Sequence, residues 1–168
     1  MVSRRTRIRA LALILPTAFG LGASVGDPAA AQAGSAIAAQ LSAGTIGNLR
    51  IGMTQREVEA LLHRRLEMDT KVDFPTAPIL QARDLTSLGI ATIAGVTAYG
   101  ADLQFDNPLD GARRLREIAI GVSCDDMLAL RERLLTDVPA TEKTPYAWWL
   151  SSDSGCRLWL RVPSDTLD

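Results

Sequence analysis

One histidine, His63, and two cysteines, Cys124 and Cys156, leave the 168 residues little from which to build metal or nucleophilic chemistry. A zinc site made of several imidazoles is excluded, and neither a C-x-x-C nor an H-E-x-x-H pattern occurs. A Ser-His-Asp triad would have to recruit His63, and no serine lies in a nucleophile-elbow context. Asp102, Asp106 and Asp110 fall at strand-exterior and turn positions. We therefore expect a non-catalytic protein with no metal site and no cofactor, and read His63 as a solvated surface residue. Concentrated positive charge is lacking too. Setting aside Arg4, Arg5, Arg7, Arg9 and Asp27 of the N-terminal segment leaves 14 basic residues against 18 acidic, a net charge of −4 in place of −1. An acidic body argues against nucleic acid as the main partner.

A long apolar run is also missing. The best candidate, from Ala10 to about Val25, is interrupted by Pro16, Gly20 and Gly22 and falls short of the roughly 20 residues a membrane span needs. With the basic start SRRTRIR before it and the small residues AAAQAG after it, this stretch reads as a secretory signal over residues 1–33. Cleavage after Ala33 satisfies the A-x-A pattern, and cleavage after Ala31 is the alternative. Arg4 and Arg5 hint at the twin-arginine route, but Arg7 stands where that signal wants an apolar residue, so the general secretory route is favoured. No cysteine lies near the cleavage region to carry a lipid, so no membrane anchor remains after processing. The expected location is the periplasm or the medium, with residues 34–168 forming one domain.

The body is organised around IGMTQREVEALLHRRL, which begins at Ile51 and returns in degenerate form as IGVSCDDMLALRERLL from Ile120. Thr54 followed by Glu57 is a capping box, in which each side chain satisfies a backbone N–H at a helix start. Met53 and Val58 are placed as a hydrophobic staple. Val58, Leu61, Leu62 and Leu66 form an apolar stripe, with Gln55, Arg56, Glu59 and Arg64 facing water, which predicts a helix of about three turns. In the second copy Ser123 and Asp126 stand in for the box, and Met127, Leu130, Leu134 and Val138 continue the stripe to Pro139. Ahead of the first copy, the alanine-rich residues 35–43 predict a short helix or a frayed leader.

Between the copies, Pro75 and Pro78 forbid a continuous element over residues 67–88, and LEMDTKVDF reads as an irregular edge strand followed by a long loop. From Ile93 the apolar residues alternate through Val96, Ala98, Ala101, Leu103 and Phe105, with a change of parity at Gly100 that predicts a β-bulge. Asn107-Pro108 and Asp110-Gly111 form a turn, and Ile118, Ile120 and Val122 complete an antiparallel pair. Aromatic residues make up only 5% of the chain, yet all three tryptophans fall in the terminal hairpin YAWWLSSDSGCRLWLRV. Its best register puts Tyr146, Trp148, Leu150, Cys156, Leu158, Leu160 and Val162 inside, leaving Trp149, Trp159, Arg157 and Arg161 outside. The fold class is α+β: two helix-plus-antiparallel-strand repeats, about 49–119 and 120–168, with the helices on a sheet face.

The signature IGMT-x-x-E-V-x-x-L-L within residues 49–62, followed by strands such as ADLQFD and LREIAI, resembles the SmpA/OmlA-like and β-lactamase-inhibitory-protein-like group of small exported domains. The tandem copy is more similar to the inhibitory protein than to the single SmpA unit. The resemblance implies a helix-on-sheet fold that binds other proteins without catalysis. The lipidated cysteine of the SmpA pattern is absent, and the shared motif is a helix cap and a core stripe, so no functional residue carries over.

Two readings of function remain. One is a soluble periplasmic protein-binding module of the cell envelope that meets its partner, an unknown envelope protein, on the sheet face the helices leave open. Trp149, Trp159, Arg157 and Arg161 are its candidate contacts, the other reading of these four being a cation–π ladder internal to the fold. The alternative function is a small-ligand or enzymatic domain with a pocket between the sheet and the 70–88 loop. In an exported chain Cys124 and Cys156 read as a disulfide. The competing reading is a thiolate at a helix N-terminus, which the neighbouring Asp125 and Asp126 oppose. Titration of denatured, unreduced protein should find no free thiol, and two free thiols per chain would rule the bridge out.

Overall fold

The computed structural model describes residues 28–71, 73–106, 111–135, 145–152 and 155–162. Most of the signal segment, the 107–110 turn, Val138, Pro139 and the tip of the terminal hairpin therefore lie outside the described residues.

The capping box at Thr54 forms in full. The Thr54 hydroxyl accepts the Glu57 backbone N–H at 3.3 Å, and the Thr54 N–H donates to the Glu57 carboxylate at 2.6 Å. This holds the Glu57 carboxyl below the usual carboxylate range, its hydrogen bond from the Thr54 backbone being the main cause. Helix α2 (Gln55–Leu62) runs from this cap with Val58 and Leu62 buried. It has eight residues, about two turns and not three. His63 adopts a left-handed conformation, φ 53°, and the Arg64 N–H closes back onto the Glu59 carbonyl at 3.2 Å, which stops the helix and turns Leu66 into the core from outside it. Upstream, the motif is strapped to the chain that enters the central sheet. Gly52 N–H donates to the Leu115 carbonyl at 2.7 Å, and Gln55 N–H to that of Arg113 at 2.9 Å.

That sheet is antiparallel and has the order β3 (Thr76–Leu80), β5 (Val96–Phe105), β6 (Leu115–Val122), β8 (Arg157–Arg161), β7 (Ala147–Ser151), with β4 (Thr92–Ile93) pairing with β5. On β5 the residues Val96, Ala98, Ala101, Leu103 and Phe105 are buried, and the register shifts between Ala98 and Gly100 where the parity change placed a bulge. Ile118, Ile120 and Val122 of β6, with Leu158 and Leu160 of β8, continue the same inward face. Four helices supply the opposing layer: Ala38 and Leu41 from α1 (Pro28–Ser42), Val58 and Leu62 from α2, Leu85 from α3 (Ala82–Ser87), and Leu130 and Leu134 from α4 (Cys124–Leu135). The fold is α+β. Each fully buried Leu, Ile or Phe of this core contributes about 1.5–3 kcal/mol relative to exposure. A two-stranded ribbon, β1 (Thr45–Ile46) with β2 (Leu49–Arg50), adds Ile46 and Leu49. Among the described residues no helix is long and apolar enough to cross a membrane.

Residues 67–88 depart from expectation. The edge strand is β3, which contains Pro78, and α3 follows it; LEMDTKVDF contributes only the bridge between Asp69 and Thr76. Proline is tolerated at a sheet edge, where no ladder partner misses its N–H. Helix α3 is started by Asp84, whose carboxylate accepts the Gln81 N–H at 3.1 Å. The second copy of the motif also differs in detail. Ser123 Oγ accepts the N–H of Asp125 at 3.2 Å, and Asp126 meets only the Ser123 carbonyl through its own N–H, so the aspartate does not close a capping box as Glu57 does.

Two close approaches lock the helical layer to the sheet. Gly34 of α1 lies against α4, where a Cβ would stand 2.1 Å from the Arg133 carbonyl oxygen, so only glycine fits. Arg133 in turn donates to the carbonyl of Ala94 at 2.5 Å. Ala94 and Gly95, with φ 47° and 81°, form the two-residue turn between β4 and β5, whose positive φ values match a type I′ hairpin. Replacing Thr54 by alanine should lower the unfolding free energy by about 1 kcal/mol, read from urea denaturation, and serine should restore most of it. An unchanged midpoint for the alanine variant would show that the cap contributes nothing.

Candidate functional site

The helices cover one side of the sheet, and the outward positions of β5, β6, β8 and β7 make up the other. Cross-strand pairing sets Asp102, Ala119, Trp159 and Trp149 in one row and Gln104, Glu117, Arg161 and Ala147 in the next. Trp149 and Trp159 stack with ring centroids 5.9 Å apart and planes 3° from parallel. The Arg161 guanidinium lies 4.8 Å from the Trp149 ring centroid, and that of Arg157 lies 6.0 Å from the Trp159 ring. The four residues singled out in the sequence are thus brought together as a cation–π ladder, each aromatic pair and cation contact adding about 0.5–1.5 kcal/mol beyond area burial.

Around the ladder the sheet face is built from small residues and paired charge. Arg157 makes an ion pair with Asp102, which sits on the strand exterior as expected. Ala119 is only 2% exposed although it faces away from the core cluster. Gly121 lies under the ring of Tyr99, where a Cβ would meet a ring carbon at 2.6 Å; Tyr99 itself remains 62% exposed. Glu117 stands opposite Arg161, and its carboxyl is raised above the usual range by burial, which outweighs the opposing charges of Arg161 and Arg116. Arg116 caps the exposed Phe74 ring at 3.8 Å. The buried Trp159 Nε1, Arg157 Nε and Arg161 Nε have no hydrogen-bond partner among the described residues. Sequence reading missed Tyr99, Ala119 and Gly121. The signal for the last two was available, since they occupy the outward positions of EIAIGV in β6.

Cys124 and Cys156 form a disulfide with Cα atoms 5.1 Å apart, joining the first turn of α4 to the residue before β8. His63 is exposed, and among the described residues no three His, Cys, Asp or Glu side chains converge as a metal ligand set. Arg64, expected in water, instead grips Asp84 with Nε at 3.2 Å and Nη2 at 2.8 Å, one nitrogen to each carboxylate oxygen. That fork holds the Asp84 carboxyl below its ordinary range against the opposing effect of burial. The pair lines a 350 Å³ groove between residues 64–67 and 77–84, beside the region where a ligand pocket was one expectation. The 70–88 segment itself packs Ala77, Leu80, Leu85 and Leu88 into the core.

The chain matches no protein-family model, and no curated protein and no solved structure is significantly similar to it. A carboxyl whose folded pKa is raised stabilises the fold below its unfolded pKa and loses that contribution as pH rises through the folded value. Glu117→Gln should therefore melt at a higher temperature than the wild type at pH 7, with the difference closing as pH falls through the carboxylate range. Equal melting temperatures at pH 7 would show that the buried charge carries no cost.

Proposed function

We propose that this chain is an exported, non-catalytic protein-binding module that takes an extended segment of a partner protein onto the outer edge of β7, beside the tryptophan ladder. The observation that carries this reading is the contrast between the two edges of the sheet. Edge β3 holds Pro78, an irregular register and a bridge from Asp69, devices that blunt pairing with another chain. Edge β7, AWWLS, holds no charge, no proline and no glycine; among the described residues β8 is the strand that pairs with it, and α1 packs beside it. All five of its residues are half-buried, and Trp148, Trp149 and Leu150 supply its large apolar side chains. A strand added there gains main-chain hydrogen bonds for affinity and contacts with Trp149 on one face and Trp148 and Leu150 on the other for specificity. Aromatic anchors of this kind dominate protein interfaces.

Export is supported by the signal-like residues 1–33 and by the disulfide, which persists in oxidising compartments. The resemblance of residues 49–62 to small exported binding domains points the same way.

The edge can be closed by a charge. Immobilised wild-type chain should retain from cross-linked envelope extract a protein that Trp149→Lys loses by tenfold or more, while Thr97→Lys, a charge on an exposed β5 position, retains it. Near-ultraviolet circular dichroism verifies that both variants are folded. Recovery of the same proteins by wild type and Trp149→Lys, or of none by the wild type, would defeat the reading.

A further inference from the structure

Between α2 and residues 111–113 runs an open groove of 660 Å³ whose walls carry Arg56, Arg65 and Arg113. Most arginines of the fold are engaged elsewhere. Arg64, Arg83 and Arg157 pair with aspartates, Arg114 and Arg133 donate to backbone carbonyls, and Arg116 and Arg161 lie over aromatic rings. Among the described residues no salt bridge holds the guanidinium groups of Arg56, Arg65 and Arg113, although the charges of Arg65 and Arg56 reach Glu59. The one carboxylate in the groove, Glu59, accepts from Gln55 Nε2 at 2.8 Å and from the Leu66 N–H at 3.1 Å. Those bonds, that from Gln55 first, together with the charges of Arg65 and Arg56, hold its carboxyl below the ordinary range against the opposing effect of burial, so it stays ionised at neutral pH. Among the described residues the groove therefore gathers three positive charges and one negative, on a body whose net charge after signal removal is −4. This is a local reversal of sign, and a concave surface concentrates its field.

We propose that this groove binds the phosphate group of a phosphorylated ligand. Guanidinium forks match phosphate oxygens in pairs, and a phosphate monoester carries a charge of about −2 at neutral pH, equal and opposite to the groove's sum. The site uses no residue of β7, so it stands or falls separately from partner binding at that edge.

The test uses the full exported chain. Inorganic pyrophosphate is titrated in by calorimetry at low ionic strength, and co-sedimentation is measured with phosphatidylcholine vesicles with and without phosphatidic acid. Saturable binding in either arm is expected. Binding to pyrophosphate marks a free ligand as sufficient, and binding to the phosphatidic acid vesicles alone marks a lipid headgroup as the source. Arg56→Gln/Arg113→Gln should weaken it at least tenfold, and Arg56→Gln alone at least threefold. Arg131→Gln, an exposed arginine of α4 outside the groove, should leave it unchanged. No saturable binding in either arm, or an equal loss in Arg131→Gln, overturns the proposal.

Discussion

The pairing of β5 with β6 is the interaction on which the rest of the molecule rests. These two strands run the full width of the core with inward residues from Val96 to Phe105 on one and from Leu115 to Val122 on the other; α3 and α4 pack directly on β5, α1 joins the layer against α4 and β7, and α2 against α3. Because side chains alternate along a strand, committing one parity to the helices commits the other parity to the opposite surface. That second surface has no helix to cover it among the described residues. It is finished by its own side chains: stacked tryptophans, guanidinium groups lying on them, an Asp102–Arg157 pair, and the small Ala119 and Gly121 that make room for larger neighbours.

Local chemistry was legible in the sequence wherever the partners are close along the chain. Thr54 and Glu57 are three residues apart, and their box is present; the parity change at Gly100 is a property of one strand, and the bulge is there; the hairpin register sorted Trp149 and Trp159 from Leu158 and Leu160. What the sequence hid depends on contacts between distant residues. Helix α3 is short and follows Pro75 and Pro78, which mask it. Its buried Asp84 is neutralised by Arg64 from 20 residues away, and no local pattern announces that pair. The end of α2 was misjudged because the apolar stripe continues to Leu66, while the left-handed backbone at His63 delivers Leu66 to the core without helix. Of the candidate surface, the ladder was readable from alternation. The groove of Arg56, Arg65 and Arg113 was not, since the first two come from around α2 and the third from the approach to β6.

The duplicated motif shows how little a shared sequence fixes beyond the helix it encodes. Ile51 and Gly52 lie outside the main sheet, whereas Ile120 and Gly121 are interior residues of β6. Arg64 and Arg133 occupy the same position of the motif, yet one forks onto a carboxylate and the other supports the carbonyl of a tight turn. The common part is a cap followed by an apolar stripe, and each copy acquires its role from the chain that packs around it.

The strand order has a consequence for how such a chain comes into being. β8 follows both β6 and β7 in sequence but lies between them in the sheet, and the cysteine that closes the disulfide onto α4 immediately precedes it. While the polypeptide emerges N-terminus first, from a ribosome or through a pore, the slot between β6 and β7 has no occupant, and β7 has nothing to pair with. Sheet completion and covalent closure both wait for the same few residues, so the native topology is out of reach of a partly emerged chain and forms only once that strand is free.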